Sequence, residues 1–422
     1  MWPSYVEAPD IAARTDGPAA MTPRHAQRTG RSQAWASQTR VRTGSIPRLR
    51  QGPGPAPRVT IVSGSVGAGH DGVARELALR LSADGVEVTV LDHLAFLPRF
   101  AQHVLRGGYT ATVTRVPALF EWIFQRLEDS RLMLGAADVL CRVAGRRLGP
   151  ALAAADVVVS TYPLASRSIG QLVDRGLVGV PTVTYLTDPA PHRTWVHPSV
   201  DVHLTVTEAT AAVGQSQYGV PMSAAGPLVP PAFSAPVSRL QRHRLRSELG
   251  LAGTDVGVLL SCGSLGLGEL GAAASAVRAG GAVPVVLRGN NTALQQRLEG
   301  DGVTALGWRD DVPALMAACD VLVHNAGGLS LTEALAAGLP AVTYAPIPGH
   351  GRANAAVLDQ AGLVPWASDA DQLRLLVHRS AARRRVPLPA PLLPAADAVN
   401  RLAWTQWERH APSRTTVTQA AV

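Results

Sequence analysis

Val59-Thr60-Ile61-Val62-Ser63-Gly64-Ser65-Val66-Gly67-Ala68-Gly69-His70 joins a short apolar run to a glycine-rich loop, and the loop opens a segment carrying Val73, Leu77 and Leu81. A continuous apolar run of strand length is a strand buried on both faces, and apolar residues four apart mark one face of a helix. The same strand, glycine loop and helix return at Val256-Gly257-Val258-Leu259-Leu260, followed by Cys262-Gly263-Ser264-Leu265-Gly266-Leu267-Gly268. A third loop, His324-Asn325-Ala326-Gly327-Gly328-Leu329-Ser330, runs straight into a helix that carries Glu333. Glycines let backbone approach a ligand, and a helix N-terminus offers unpaired N–H groups and partial positive charge to phosphate. Two such modules in tandem imply one site shared between two α/β domains.

Reading outward, the expected strands of the first half are Val59–Ser63, Val86–Leu91, Val157–Ser160, Thr182–Leu186 and Val202–Val206. Those of the second half are Val256–Ser261, Val283–Leu287, Val303–Leu306, Val321–His324, Ala341–Tyr344 and Leu363–Trp366. Short apolar strands alternating with helical stretches define an α/β class with parallel sheets. A long helical insertion is expected between Leu94 and Leu152, and a last helix over Ala395–Arg409. The resulting organisation is a tail over 1–57 rich in Arg, Pro and Gly and without periodicity, read as disordered; a Rossmann-like domain over 58–224; a proline-dense linker over 225–240; a second domain over 241–381; and a Pro-rich segment, helix and tail over 382–422.

Of the net charge of +8, +6 comes from residues 1–58, where nine Arg face only Glu7, Asp10 and Asp16. All 39 basic residues are Arg. The basic excess is a tail without an aromatic-interleaved patch, so no nucleic-acid partner is expected. The absence of Lys also removes a P-loop, whose phosphate-binding Lys is part of the motif. Three cysteines without a CxxC pair fit a reducing cytoplasm, and neither a membrane span nor a signal core is expected.

Several residue sets carry candidate chemistry. His70 enters a helix at its positive end, which disfavours the imidazolium and suits a neutral general base. Ser330-Leu331-Thr332-Glu333 reads as a capping box in the first turn of its helix, and the same carboxylate could reach ribose hydroxyls above a bound diphosphate. Gly67-Ala68-Gly69-His70-Asp71-Gly72, with Asp92 about 20 residues on, also matches a dinucleotide-binding fingerprint. That match keeps an NAD-dependent oxidoreductase as an alternative, although Ser63-Gly64-Ser65-Val66 separates the strand from the first glycine of the motif. Asp188, His192 and His197 sit on a loop at a strand's carboxyl end, but no closing Cys or carboxylate pair accompanies them, so no metal is expected. Phe96, Phe100, Phe120, Trp122 and Phe124 lie among Arg99, Arg106, Arg115 and Arg126, a mixture that suits an anionic membrane surface as well as ordinary core helices.

Taken in order, Ser63–His70, Thr187-Asp188 with Trp195 and His197, Cys262–Gly266, Gly307-Trp308, Met316–Asp320, Asn325–Gly328, Glu333-Ala334-Leu335 and Pro346–His350 resemble the monogalactosyldiacylglycerol synthase and processive diacylglycerol glucosyltransferase family. The likeness runs from about Arg58 to Val377, and the lipid II N-acetylglucosaminyltransferase is more distantly similar. The resemblance implies a GT-B fold of two Rossmann-like domains, with a UDP-sugar in the second domain and a lipid acceptor, diacylglycerol in this family, facing the first. It implies inversion at the anomeric carbon, no metal and no cofactor beyond the UDP-sugar substrate, and a peripheral place on the inner face of the cell membrane. By position, His70 matches the acceptor-activating histidine, with Gly67, Gly69, Asp188, His192 and Trp195 on the acceptor side. Gly263, Ser264 and Gly266 match a loop near the diphosphate; Trp308 and Arg309 match the uracil-recognising position; Asn325, Ala326, Gly327, Gly328, Leu329 and Ser330 match the diphosphate loop. Glu333 matches the ribose-binding glutamate, and His350 falls among the sugar-contacting residues. The chain departs from the family at His350-Gly351-Arg352, where plant-type members carry Gln and acidic residues, and at Asn325, where many carry Lys. A non-catalytic homologue that kept the fold is a further alternative, against which both His70 and Glu333 stand.

Overall fold

The computed structural model describes residues 56–410, apart from 264–265, 290, 292–294, 297, 299–302 and 384 and the side chains of 109 and 110. The tail expected over 1–57 lies outside the described residues as far as residue 55. Two all-parallel sheets of six strands each form the framework. The first contains β1 (Arg58–Ser63), β2 (Glu87–Asp92), β3 (Val157–Ser160), β4 (Thr182–Tyr185), β5 (Val202–Thr205) and β6 (Met222–Ala224), in the order β2-β1-β3-β4-β5-β6. The second contains β7 (Gly257–Ser261), β8 (Val283–Leu287), β9 (Thr304–Leu306), β10 (Val321–His324), β11 (Ala341–Tyr344) and β12 (Trp366–Ala367), in the order β12-β11-β10-β7-β8-β9.

β6 was not legible in the sequence. It is three residues long and pairs with β5 along Met222–Ala224, held by that neighbour and not by an apolar run of its own. The strand expected over Leu363–Trp366 is reduced to Trp366–Ala367, with Leu363 and Val364 closing the turn after α11 (His350–Gln360) through bonds to the Leu358 carbonyl. The apolar runs are continuous because both sheet faces are covered. Val258 and Leu260 of β7 enter one core cluster with Val286 and Val323, while Leu259 points the other way into a cluster with Val285 and Leu322.

The strand order reverses between β1 and β3 and again between β7 and β10. In open parallel sheets such switch points leave a crevice at the carboxyl ends of the strands. The loop after β1 leads into α1 (Ala68–Ala83), and the loop after β10 leads into α10 (Leu329–Ala336). These two helix starts meet. A Cβ at Gly72 would lie 2.7 Å from Leu329 Cδ2, and one at Gly69 would lie 3.8 Å from Leu329 Cβ. The last helix, α13 (Ala395–His410), returns from the second sheet to the first: Ala395 N–H donates to Ala225 O at 3.0 Å, and Asn400 Nδ2 donates to Asp84 Oδ2 at 2.8 Å.

The insertion forms α2 (Arg99–Arg115), α3 (Pro117–Asp129) and α4 (Arg131–Leu152). α4 is core on one side, burying Cys141, Ala144, Leu148 and Leu152 against α5 (Pro163–Asp174). α3 buries none of its residues fully, and Phe100, Leu119, Trp122 and Leu132 are exposed, Phe100 by 80% and Trp122 by 48%. The core-helix reading therefore holds for α4, whereas α3 and the neighbouring Phe100 and Leu132 leave apolar surface exposed. Among the described residues no helix is long and apolar enough to cross a membrane.

The first glycine of the β1 loop is fixed by an aromatic ring: a Cβ at Gly64 would sit 2.4 Å from Tyr162 Cγ. Displacing that ring overpacks the loop, so Gly64→Ala is expected to cost about 1–3 kcal/mol in urea unfolding. A change within error would show that the ring has room to move.

Candidate active site

The crevice between the sheets is a cleft of about 710 Å³ lined from both sides. Val66, Gly67, Gly69, His70, Tyr162, Thr187, Asp188, His192 and Trp195 form one wall, and Gly263, Trp308, Arg309, Ala326 to Ser330, Glu333 and His350 the other. Most residues singled out in the sequence thus converge. Ser264 lies outside the described residues. Gly266 and Asn325 are not among the lining residues. Gly266 turns with φ +57°, where a Cβ would meet the Arg288 carbonyl at 2.6 Å. Asn325 is buried and its Nδ2 donates to Leu267 O at 2.7 Å, so it braces the preceding glycine loop from behind.

His70 is the third residue of α1, after Gly67 as N-cap. Its Nδ1 pairs with Thr187 Oγ1 at 3.2 Å, and its ring centroid lies 5.3 Å from Tyr162 and 5.7 Å from Trp195. Burial lowers its pKa below 6.5, against the opposing pull of Asp188 and Asp71. The neutral ring expected from the helix position is therefore reinforced by desolvation. Asp188 is fixed by Trp195 Nε1, which donates to its Oδ2 at 2.9 Å.

Opposite, the backbone of the β10–α10 loop is shaped by a buried histidine. Gly327 N–H donates to His324 Nδ1 at 3.2 Å, and Nε2 pairs with Thr343 Oγ1 at 3.0 Å. Gly327 itself has φ +74°, a left-handed turn suited to glycine. The capping box expected over Ser330–Glu333 does not form. α10 begins two residues earlier than that motif requires, its N-cap Gly328 has no side-chain bond, and the Ser330 hydroxyl instead accepts from Ser261 Oγ at 3.1 Å. Glu333 falls in the second helical turn and lines the cleft. Among the described residues its carboxyl makes no hydrogen bond, and burial pushes its pKa up to about 8.

The dinucleotide-fingerprint reading is overturned by the position of its acid. Asp92 accepts from Ser65 Oγ at 2.6 Å, Leu94 N–H at 3.0 Å and Arg106 at 2.8 Å, so it pins the glycine loop to α2 and is fully engaged there. Asp188, His192 and His197 turn to separate partners. His192 meets Thr194 Oγ1 at 2.8 Å and Phe124 O at 3.1 Å, while His197 packs over Gly170 and lies 3.7 Å from Asp174. Arg309 lines the cleft but is paired with Asp311 at 2.7 Å, and Trp308 stands 63% exposed at the rim.

Three contributors escaped the sequence reading. Tyr162, two residues past the end of β3, covers both Gly64 and His70; its place past a strand's carboxyl end was the available signal. α3 crosses to the second wall: Glu121 accepts from Gly349 N–H at 2.7 Å and pairs with Arg352 at 3.3 Å, and Phe120 and Phe124 pack on His350 with centroids at 6.0 and 6.3 Å. Asn354, four residues after His350 and so on the same helix face, is fully buried between the walls.

Comparison with known proteins agrees with this geometry. Residues 70–227 match the monogalactosyldiacylglycerol (MGDG) synthase family, and residues 258–374 match the glycosyl transferases group 1 family. With the two facing sheets, these matches make the chain a glycosyltransferase of the GT-B class. It is similar to the processive diacylglycerol beta-glucosyltransferase of Bacillus cereus (strain B4264), 24% identical over 371 residues that cover 81% of this chain and 93% of the relative. It is equally 24% identical to the enzyme so named in Bacillus thuringiensis (strain Al Hakam), over 72% of this chain and 81% of that one. The fold is shared with the glycosyltransferase SnogD from Streptomyces nogalater, at TM-score 0.50 and 19% identity over 83% of this chain and 100% of that one. It is also shared with the glycosyltransferase of kitacinnamycin, at TM-score 0.51 and 17% identity over 85% of this chain and 100% of that one.

The Glu333 carboxyl gives a pH test. Between 4.5 and about 8 it is protonated in the folded chain and ionised in the unfolded one, so the folded chain binds the extra proton and loses stability as pH rises across that window. Thermal unfolding of the ligand-free protein is expected to show a shallower decline over this range in Glu333→Gln than in the wild type. Identical slopes would mean that the carboxyl is solvated.

Proposed function

We propose that this glycosyltransferase moves a hexose from a UDP-sugar to the hydroxyl of a lipid, diacylglycerol foremost, with inversion at the anomeric carbon. The observation that carries the reading is that His70 and the N-terminus of α10 face each other across one cleft, in helices that touch at Gly72 and Leu329. Relatives named diacylglycerol beta-glucosyltransferases support the acceptor class, and a β-linked product from an α-linked nucleotide sugar is an inversion.

In this reading the nucleotide lies along the second wall. The free N–H groups of Gly328 to Ser330 at the start of α10 receive the diphosphate, and Glu333, one turn further in, accepts from ribose hydroxyls. The acceptor hydroxyl sits against His70. With Nδ1 held by Thr187, Nε2 takes the hydroxyl proton as the oxygen bonds to C1; the bond from C1 to the diphosphate oxygen breaks, and UDP leaves with the electron pair. Asp188, the largest nearby charge favouring protonated His70, stabilises the imidazolium that forms. Backbone amides neutralise the leaving group, so the reaction is proposed to need no metal and no further cofactor. The exposed apolar and Arg-bearing surface of α2 and α3, where the Arg126 guanidinium lies 5.7 Å from the Trp122 ring, is proposed to rest on anionic lipid at the inner face of the cell membrane.

Transfer from labelled UDP-glucose and UDP-galactose to diacylglycerol in mixed micelles tests the proposal. His70→Ala is expected to lower kcat by ~10²–10⁴-fold while calorimetry still finds UDP bound. Loss of UDP binding in that variant would move His70 out of the base role. The acid limb of the wild-type rate is expected below 6.5, because a lowered pKa keeps the base neutral into mildly acidic solution. EDTA is expected to leave the rate unchanged; a drop restored by Mg²⁺ would assign the leaving-group charge to a cation.

A further inference from the structure

Asn354, on α11, is the point where two loops of the cleft meet. Its Oδ1 accepts from Ala190 N–H at 2.8 Å, and its Nδ2 donates to Ala326 O at 2.8 Å and faces Asp188 Oδ1 at 3.4 Å. An amide N–H can only donate and a carbonyl can only accept, so these partners fix which end of the side chain is oxygen. The residue is 0% exposed, and a Cβ at Gly327 would lie 2.8 Å from Asn354 Cβ. One amide therefore ties the loop of the first wall (Asp188 and Ala190) to the loop of the second (Ala326 and Gly327). Among the described residues no other hydrogen bond of the cleft joins these two loops.

We propose that Asn354 is a positioning residue that couples occupancy of the diphosphate loop to the placement of Asp188, and through Asp188 to the charge environment of His70. The proposal rests on the transferase reading above. When backbone around Gly327 and Gly328 settles on a diphosphate, the Ala326 carbonyl moves with it, and the shared amide carries that adjustment to Ala190 and Asp188. The acceptor wall is thereby set only when the donor is in place, which limits reaction of the donor with water.

Hydrogen exchange followed by mass spectrometry, with UDP as the probe, reads the coupling directly. In the wild type UDP is expected to slow exchange in two segments, 326–330 and 187–191. In Asn354→Ala only 326–330 should be slowed. The UDP dissociation constant is expected to stay within roughly threefold, while kcat falls by roughly 10²-fold with little change in the KM for UDP-sugar. Asn354→Ser guards against a folding defect. It adds no buried charge and is too short to bridge Ala326 O and Asp188, so it should reproduce the lost coupling, with urea unfolding of each variant reading its folding separately. Persisting protection of 187–191 with kcat near wild type, in whichever variant folds, would overturn the proposal. UDP protection of 326–330 without any effect on 187–191 in the wild type would overturn it as well. Failure of UDP to protect either segment of the wild type would instead overturn the donor reading, and the coupling with it.

Discussion

The cleft exists because two helix starts can approach each other. Gly69 and Gly72 on α1 leave room for Leu329, the first residue of α10, and any larger residue at Gly72 would have to displace that side chain. Each helix follows a strand at the reversal point of its sheet, so each N-terminus projects from the carboxyl edge. Contact between the two brings both helix N-termini to one place. α13 and the bond from Arg80 to the Val229 carbonyl, at 2.6 Å, close the framework behind this contact.

Within the cleft, burial acts on acids and bases in opposite directions. It raises Glu333 to about 8 and lowers His70 and His350, so the ligand-free site holds few net charges. Taking charged groups out of water is costly unless each is paired, and neutral forms are the stable solution. A site of this kind supplies charge where the substrate demands it. In the proposed reaction a ribose hydroxyl would favour the Glu333 carboxylate, and the acceptor proton would create the imidazolium beside Asp188.

The insertion links the cleft to the surface. α3 shows Trp122 and Leu119 outward, while its other side gives Glu121 to the N-terminus of α11 and Phe120 and Phe124 to His350. α2 sends Arg106 to Asp92 and Ser65 in the loop before His70. Both walls are thus braced by helices whose far sides are apolar and exposed. An exposed apolar surface joined to the cleft through single helices suits the lipid acceptor proposed above.

Much of this was written in the chain itself. Continuous apolar runs such as Val157–Ser160 and Val321–His324 can only be strands covered on both faces, and glycine loops placed directly after them fixed the α/β class and the positions of His70, Gly327 and Glu333. Local pattern failed where a partner far along the chain decided the outcome. β6 is a strand because β5 lies beside it. Ser330 abandons the capping box because Ser261, 69 residues away, offers its hydroxyl a partner. Asp92 looked like a ribose acid until Ser65 and Arg106 occupied it, and Asn325 faces Leu267 and not the cleft. Asn354 had no local signature at all, since its three partners come from two other loops. The sequence determined which backbone segments form and where their ends fall, because periodicity and glycine act within a few residues. Only the tertiary structure decided which side chains are free for chemistry, because hydrogen bonds and desolvation depend on what the rest of the fold brings against them.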